Sequence, residues 1–344
     1  MVKVLELFGE PFSDGGQEAF IINILQAIDT TGLSIDVFTP YYCDNEYNKK
    51  IVESKSGKVT CCNLPFTPGK SRENIKPVIR DYLKLHQYDV VHIHTGSAHK
   101  NMKHELVKLA YLPRIAKNAD CFCACSKQAA HWQFSDKIAD NNTVIVRNGI
   151  NVEKYLFSFE KRESMREQLN IRRDEYVIGN VGRFSDEKNH SFLLKVFCEI
   201  VKEYKDCRLM LIGAGDNYSA IEQEIKRQNM TDKIILTGSV NNVWDYLQAM
   251  DVFVVPSKYE GLSLASIEAE ASGLPVVASN NVPSDIQLSE DVVFLSLDDD
   301  IKSWGECVMS FKNHKRLNQK ELINQKGFNV NSTAEQVRNL YLDI

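Results

Sequence analysis

Short apolar runs alternate with amphipathic stretches along most of the chain, and the alternation is regular enough to predict elements. Val2–Phe8, Ser34–Thr39, Val59–Cys62, Asp89–His94, Cys121–Ser126 and Thr143–Val146 read as strands. Helical spacing separates most of them, notably over Gln17–Ile28, Ile75–Leu85 and Glu105–Ala116. Such alternation implies crossover units and a mostly parallel, doubly wound sheet. The Asn148-Gly149 pair marks a turn. A second series of strands follows it, at Tyr176–Val181, Arg208–Ile212, Ile234–Leu236, Val252–Val255, Val276–Ala278 and Val292–Phe294. The pattern predicts an α/β protein of two Rossmann-like halves, residues 1–150 and 151–344, joined near residues 148–155. The last helix is a candidate to pack back on the first half. Ligands of such sheets sit at the carboxyl ends of the strands, so two facing halves would enclose an interdomain cleft.

The length of 344 residues fits two domains of ordinary size. Hydrophobic residues at 43% and charged residues at 25% are globular values, which sets disorder and fibres aside. A net charge of -5 argues against bulk nucleic-acid binding, which wants a basic field. The charge is uneven: residues 1–150 carry 18 Lys+Arg against 16 Asp+Glu, or +2, and the rest carries 23 against 30, or -7. A mildly basic first half suits an anionic acceptor or a membrane face. The nine cysteines read as reduced. Cys121, Cys123 and Cys125 alternate onto one strand face, yet no CxxC pair accompanies them, so they read as small core hydrophobes rather than metal ligands. The start, MVKVLELFGE, predicts no signal peptide, and no run approaches the ~20 apolar residues that span a bilayer. The expected location is cytoplasmic, with peripheral attachment to the inner face of the cell membrane left open.

The most informative stretch is PSKYEGLSLASIEAEASGLPVVAS, residues 256–279. A strand ends at Ser257, a Gly-containing loop follows, and a helix starts near Ser263. Free backbone N–H groups at a helix start anchor phosphate or sugar oxygens. Glu260 stands at the strand end and Glu268 eight residues on, sharing a helix face with Leu264. A carboxylate so placed suits bidentate hydrogen bonding to a ribose diol. Glu270 reads instead as a solvated surface residue.

The spacing of the two glutamates, the PSKYEGL opening and the GLPVVAS close resemble glycosyltransferase family 4, the retaining enzymes of the two-domain GT-B fold. Other pieces of that resemblance arrive in order: SDGGQEAFIINI at 13–24, VRNGINVEKY at 146–155, IGNVGRFSDEKNHSFLLKVF at 178–197, LMLIGAGD at 209–216 and ILTGSVNNVWDYLQAMDVFVVPS at 235–257. The resemblance implies that Arg183 and Lys188 bind the diphosphate of a nucleotide sugar, where fixed cations stabilise the charge that grows on the leaving group. It implies that Glu268 holds the ribose. Glu260 and the backbone of Gly261, Leu262, Ser263 and Leu264 would contact the transferred sugar, while Ser239 and Val240 line the base pocket. Gly15 and Gly16 would let the first loop approach the phosphates and acceptor closely. With two cations on the diphosphate no metal is required, and no cofactor beyond the donor substrate is expected.

Two motifs are decoys. Gly213-Ala214-Gly215 lacks the third glycine of a dinucleotide fingerprint. Asp298-Asp299-Asp300 has the spacing of a metal-binding DxD but lies past the donor motifs, as a solvated acidic turn. The first half departs from the family pattern after His94, where one helix and one strand are missing and His99-Lys100-Asn101 is a stub of the family's second His motif. His94 and His99 are therefore candidates for the reacting centre. His92 reads as core-facing or supporting, and His104 as solvated. The helix after Met102 carries Lys103, Lys108, Arg114 and Lys117, which read as the exposed basic face of a sheet-covering helix or a contact with anionic lipid.

These residues lead to an expected activity: retaining transfer of a hexose-type sugar from a UDP-sugar to a saccharide or lipid-linked acceptor in surface polysaccharide assembly. A non-catalytic donor-binding subunit supporting a partner glycosyltransferase is the competing expectation, and a sugar-nucleotide epimerase a third.

Overall fold

A computed structural model describes residues 1–13, 16–67, 75–94 and 113–343. The chain divides into two units, residues 1–150 with 327–344, and residues 151–326.

In the first unit β1 (Val2–Phe8), β2 (Leu33–Thr39), β3 (Val59–Cys61) and β4 (Val90–His94) form a parallel sheet in the order β3-β2-β1-β4. Helices α1 (Gly16–Ala27), α2 (Glu46–Ser54) and α3 (Ile75–Leu85) connect them. Val4, Leu5, Leu7 and Phe8 of β1 are all buried, so both faces of that strand are covered. Ile21, Ile24 and Leu25 of α1 close one face together with Val37. Val78, Tyr82 and Leu83 of α3 close the other, over Leu5, Leu7 and Phe38.

Among the described residues the strands of this unit fall into two sheets. Strands β5 (Phe122–Ala124) and β6 (Thr143–Ile145) pair in parallel with each other, not with the main sheet. Helices α4 (Lys127–Gln133) and α5 (Asp136–Asn141) connect the two strands. Among the described residues β4 is the sheet's edge strand, and its Val91 and Ile93 are exposed. A doubly wound sheet needs one continuous ladder, and among the described residues these two strands pair only with each other. The helix expected over Glu105–Ala116 falls mostly outside the described residues, as do His99 and His104.

The second unit begins with α6 (Val152–Tyr155) and α7 (Phe159–Gln168). It then alternates β7 (Tyr176–Val181), α8 (His190–Glu203), β8 (Cys207–Ile212), α9 (Tyr218–Arg227), β9 (Ile234–Gly238), α10 (Val243–Ala249), β10 (Val252–Val255), α11 (Leu264–Ala271), β11 (Val276–Ser279) and β12 (Val292–Leu295). Helices α12 (Ile301–Ser310) and α13 (Lys320–Gln325) follow. All six strands lie in one parallel sheet, in the order β12-β11-β10-β7-β8-β9. Runs such as Val252-Phe253-Val254-Val255 are wholly buried because helices cover both faces.

The last helix, α14 (Val330–Leu342), belongs with the first unit. Its Ala334, Val337 and Tyr341 join the α1 core. The chain is stitched at Ile150, whose N–H donates to Phe328 O at 2.8 Å and whose carbonyl accepts from Val330 N at 3.0 Å. Gly149 makes that approach feasible, since a Cβ there would stand 2.5 Å from Thr333 Oγ1 and 2.6 Å from Val330 Cα.

Gly149→Ala is therefore expected to destabilise the protein by about 1–3 kcal/mol, the usual cost of forcing extra volume against packed backbone. Urea unfolding followed by circular dichroism measures it, and an unchanged midpoint would contradict the account.

Candidate functional site

The strand order of the second unit contains one reversal. From β7 the chain winds outward through β8 and β9, then returns to place β10 on the other side of β7, pairing Val252 with Ile178. Loops leaving the carboxyl ends of β7 and β10 therefore diverge, and the crevice at such a switch point is where open α/β sheets bind ligands. The loop at 182–189 follows β7, and the loop at 256–263 follows β10.

Side chains join these two loops. Lys188 Nζ lies 2.5 Å from Glu260 Oε1, and Ser257 Oγ donates to the same oxygen at 2.8 Å. The Ser257 carbonyl in turn accepts from Ser279 Oγ at 2.5 Å. Asn189 Nδ2 donates to Pro256 O at 3.1 Å, Lys258 N to Glu187 O at 2.8 Å and Tyr259 OH to Glu187 Oε1 at 2.9 Å. Arg183 is exposed on the same loop, and its guanidinium has no ion pair or hydrogen bond among the described residues. One cation is thus held by a carboxylate while the other stands free.

Helix α11 begins at the end of the β10 loop. Gly261 and Leu262 are half-buried, and Ser263 is the N-cap residue, but its side chain does not cap the backbone; its Oγ accepts from Ser266 Oγ at 2.8 Å. The first N–H groups of the helix, from Leu264 onward, are left without a side-chain cap. Glu268 lies one turn further, where its Oε1 accepts from Tyr155 OH at 2.6 Å. Burial pushes the Glu268 carboxyl up to about 7, with the Tyr155 bond pulling the other way.

Glu270 is not the solvated residue that the sequence suggests. It is 1% exposed, and its Oε2 accepts from Ser289 N and Ser289 Oγ, both at 2.9 Å. Two positions along a helix are about 200° apart around its axis. Glu268 and Glu270 therefore face opposite sides, and both sides of this short helix are covered. Burial also pushes Glu270 up to about 7, against the Ser289 bonds.

Ser239 and Val240 follow the carboxyl end of β9, on the same edge of the sheet, with Ser239 exposed and Val240 half-buried. Between them and Arg183 lies the Gly213–Gly215 turn after β8. Gly213 sits at φ 138°, and a Cβ on it would come within 2.0 Å of Gly182 O. Phe184 N donates to Ala214 O at 2.9 Å, so this glycine pair shapes the Arg183 loop and is no fingerprint of its own. Asp298-Asp299-Asp300 is a turn before α12, where Asp300 caps the helix by accepting from Ser303 N.

In the first unit, Gly16 is the first residue of α1 with open space around it, while Gly15 falls outside the described residues, as does His99. His94 is buried. Its Nε2 lies 2.8 Å from Glu6 Oε2 and its ring stacks on Phe8 at 4.4 Å. Burial and the neighbouring His92 lower its pKa, against the pull of Glu6.

Sequence reasoning missed two residues of consequence. Tyr155 was visible only as part of the joining segment, and nothing local pairs it with a residue 113 positions away. Glu6 lay inside a strand with no motif around it.

Two family models match the chain: Glycosyltransferase Family 4 over residues 14–154 and Glycosyl transferases group 1 over residues 161–324. EpsF of Bacillus subtilis, named as a glycosyltransferase, is 26% identical over 95% of this chain and 93% of its own. The UDP-Gal:alpha-D-GlcNAc-diphosphoundecaprenol alpha-1,3-galactosyltransferase of Escherichia coli is 25% identical over 79% of this chain and 80% of its own. The crystal structure of Anabaena HepE in complex with UDP and glucose superposes with a TM-score of 0.80 at 16% identity, covering all of both chains. That likeness shows the GT-B fold of two Rossmann-like domains.

The raised Glu268 carboxyl has a stability signature. A carboxyl with a higher pKa folded than unfolded stabilises the fold fully below its ordinary value of 4.5, and that contribution is lost as pH rises to about 7. Glu268→Gln, which mimics the protonated form, is expected to lose less stability than the parent between about pH 5 and about pH 7.5. Denaturant midpoints at the two pH values test this, and equal losses would contradict it.

Proposed function

The chain belongs to glycosyltransferase family 4, its second domain being of the group 1 type, and we propose that it transfers a hexose-type sugar from a UDP-sugar, with retention, to a saccharide or lipid-linked acceptor. The setting is surface polysaccharide assembly, as the name of the Escherichia coli relative's diphosphoundecaprenol acceptor suggests. A free guanidinium and a carboxylate-held ammonium at one switch point carry this reading, because a diphosphate leaving group needs positive charge at that place.

Arg183 offers a planar fork to the diphosphate oxygens, and Lys188 adds a compact charge that Glu260 holds in place before the donor arrives. These two charges serve without a metal. The uncapped first turn of α11, with Gly261, Leu262, Ser263 and Leu264, presents N–H groups to the sugar and phosphate. Oε1 of Glu260 is occupied, and Oε2 has no hydrogen bond among the described residues, which leaves it for a sugar hydroxyl. Glu268, oriented by Tyr155, takes the ribose diol. Ser239 and Val240 flank the base. The leaving diphosphate itself accepts the acceptor's proton in a front-face attack, so Glu260 orients and stabilises rather than attacks.

The divided sheet of the first unit favours a second reading, in which the chain binds the donor and supports an active partner glycosyltransferase. Incubating the purified protein with UDP-, GDP- and ADP-sugars and measuring free nucleotide separates the two, since a binding subunit retains affinity without turnover.

Arg183→Ala is expected to slow transfer or donor hydrolysis by about 100-fold or more. Glu268→Ala should weaken UDP binding by about tenfold, as for loss of a charged hydrogen bond. Calorimetry and steady-state kinetics check both. Unchanged turnover in the first and unchanged affinity in the second would remove the assignment.

A further inference from the structure

Away from the donor groups, the first unit gathers a second set of ionisable side chains. Glu6 on β1 is paired directly across from His92 on β4, with His94 two residues further along the same strand face. His92 Nδ1 stands 3.0 Å and His94 Nε2 2.8 Å from the same oxygen, Glu6 Oε2. Tyr341, from α14, donates its hydroxyl to the other oxygen, Oε1, at 2.5 Å, and that hydroxyl also lies 2.8 Å from His92 Nδ1. The Glu6 side chain is 0% exposed, that of His94 6% and that of His92 23%.

Glu6 is a buried carboxylate set between two imidazoles and a phenol. Among the described residues no lysine or arginine pairs with Glu6. A carboxylate buried in this way is stabilised by a positive partner. That partner is either a proton on His92 or a bound cation.

The geometry favours the cation. Two imidazole nitrogens and one carboxylate oxygen, all within 4.8 Å of one another, converge from adjacent strands. Such a mixed nitrogen and oxygen set suits zinc at about 2.0–2.1 Å per ligand and leaves a fourth position open. Imidazole selects transition metals over magnesium or calcium, which prefer all-oxygen sets. The surroundings also fit: Tyr341 fixes the carboxylate through its second oxygen, and the 9° stack on Phe8 fixes the ring of His94.

We propose that Glu6, His92 and His94 form a divalent transition-metal site, zinc by its donor set, that clamps β1, β4 and, through Tyr341, the C-terminal helix. The ion is structural. It takes no part in the donor chemistry proposed above, and its presence or absence leaves that reading untouched.

The full chain, freed of any affinity tag and stripped with chelator, is incubated with zinc sulfate, gel-filtered and analysed by mass spectrometry. About one retained zinc per chain is expected, with a rise in Tm over the stripped protein. Cobalt in place of zinc should give visible d–d bands without the near-ultraviolet thiolate band that binding at Cys121 and Cys123 would produce. Tyr341→Phe should weaken retention by about tenfold, and the His92→Ala/His94→Ala double variant should abolish it. Should that double variant not fold, the cobalt spectrum of the parent decides. Zinc passing through unbound, a thiolate spectrum, or equal retention by a folded double variant would show a protonated hydrogen-bond network only and overturn the proposal.

Discussion

The second unit is organised by the pairing of β7 with β10, the point at which its sheet reverses direction. Two parallel strands that are neighbours in space but separated by two other strands in sequence send their loops apart, and the notch between those loops has no backbone to fill it. Everything placed there is placed by that pairing. The Lys188–Glu260 pair ties one loop to the other, and the Asn189 amide and the Glu187–Tyr259 bond repeat the tie. Arg183 is displayed because the glycine turn after β8 lies directly beneath its loop.

How much of this was legible follows from the range of each interaction. Buried parallel strands are apolar on both faces, so runs such as Arg208–Ile212 and Val252–Val255 declare themselves within a few residues, and the structure places strands there. Arg183, Lys188, Glu260 and Glu268 were singled out by motif, which is a local signal as well, and the structure pairs Lys188 with Glu260. Their partners were not. Tyr155 meets Glu268 across 113 residues and Glu6 meets His94 across 88, and no periodicity encodes such pairings. Glu270 was misread for a related reason. Alternating Glu and Ala on a helix looks amphipathic, but α11 is covered on both sides, so the second glutamate turns inward to hold the Ser289 backbone.

The first unit shows a different limit. Its strand positions could be read from the sequence, but strand position does not say which ladder a strand joins. Among the described residues β4 is an edge, and β5 and β6 form a pair of their own. Short strands of three residues have little hydrogen bonding to offer, and packing of Cys123, Val144 and Val146 against the core holds them instead. Of the three alternating cysteines, Cys123 packs against that core as an apolar side chain.

The return of residues 327–344 to the first unit has a practical corollary for anyone dividing the gene. A break after residue 150 would strip Ile21, Ile22 and Leu25 of the Ala334, Val337 and Tyr341 cover they have in the intact chain, and would leave Glu6 without its phenol. The complementary fragment would carry an amphipathic tail with nothing of its own to bury against. A faithful dissection of this protein excises residues 151–326 as an insert and rejoins the flanks with a linker, treating the second unit as a guest within the first.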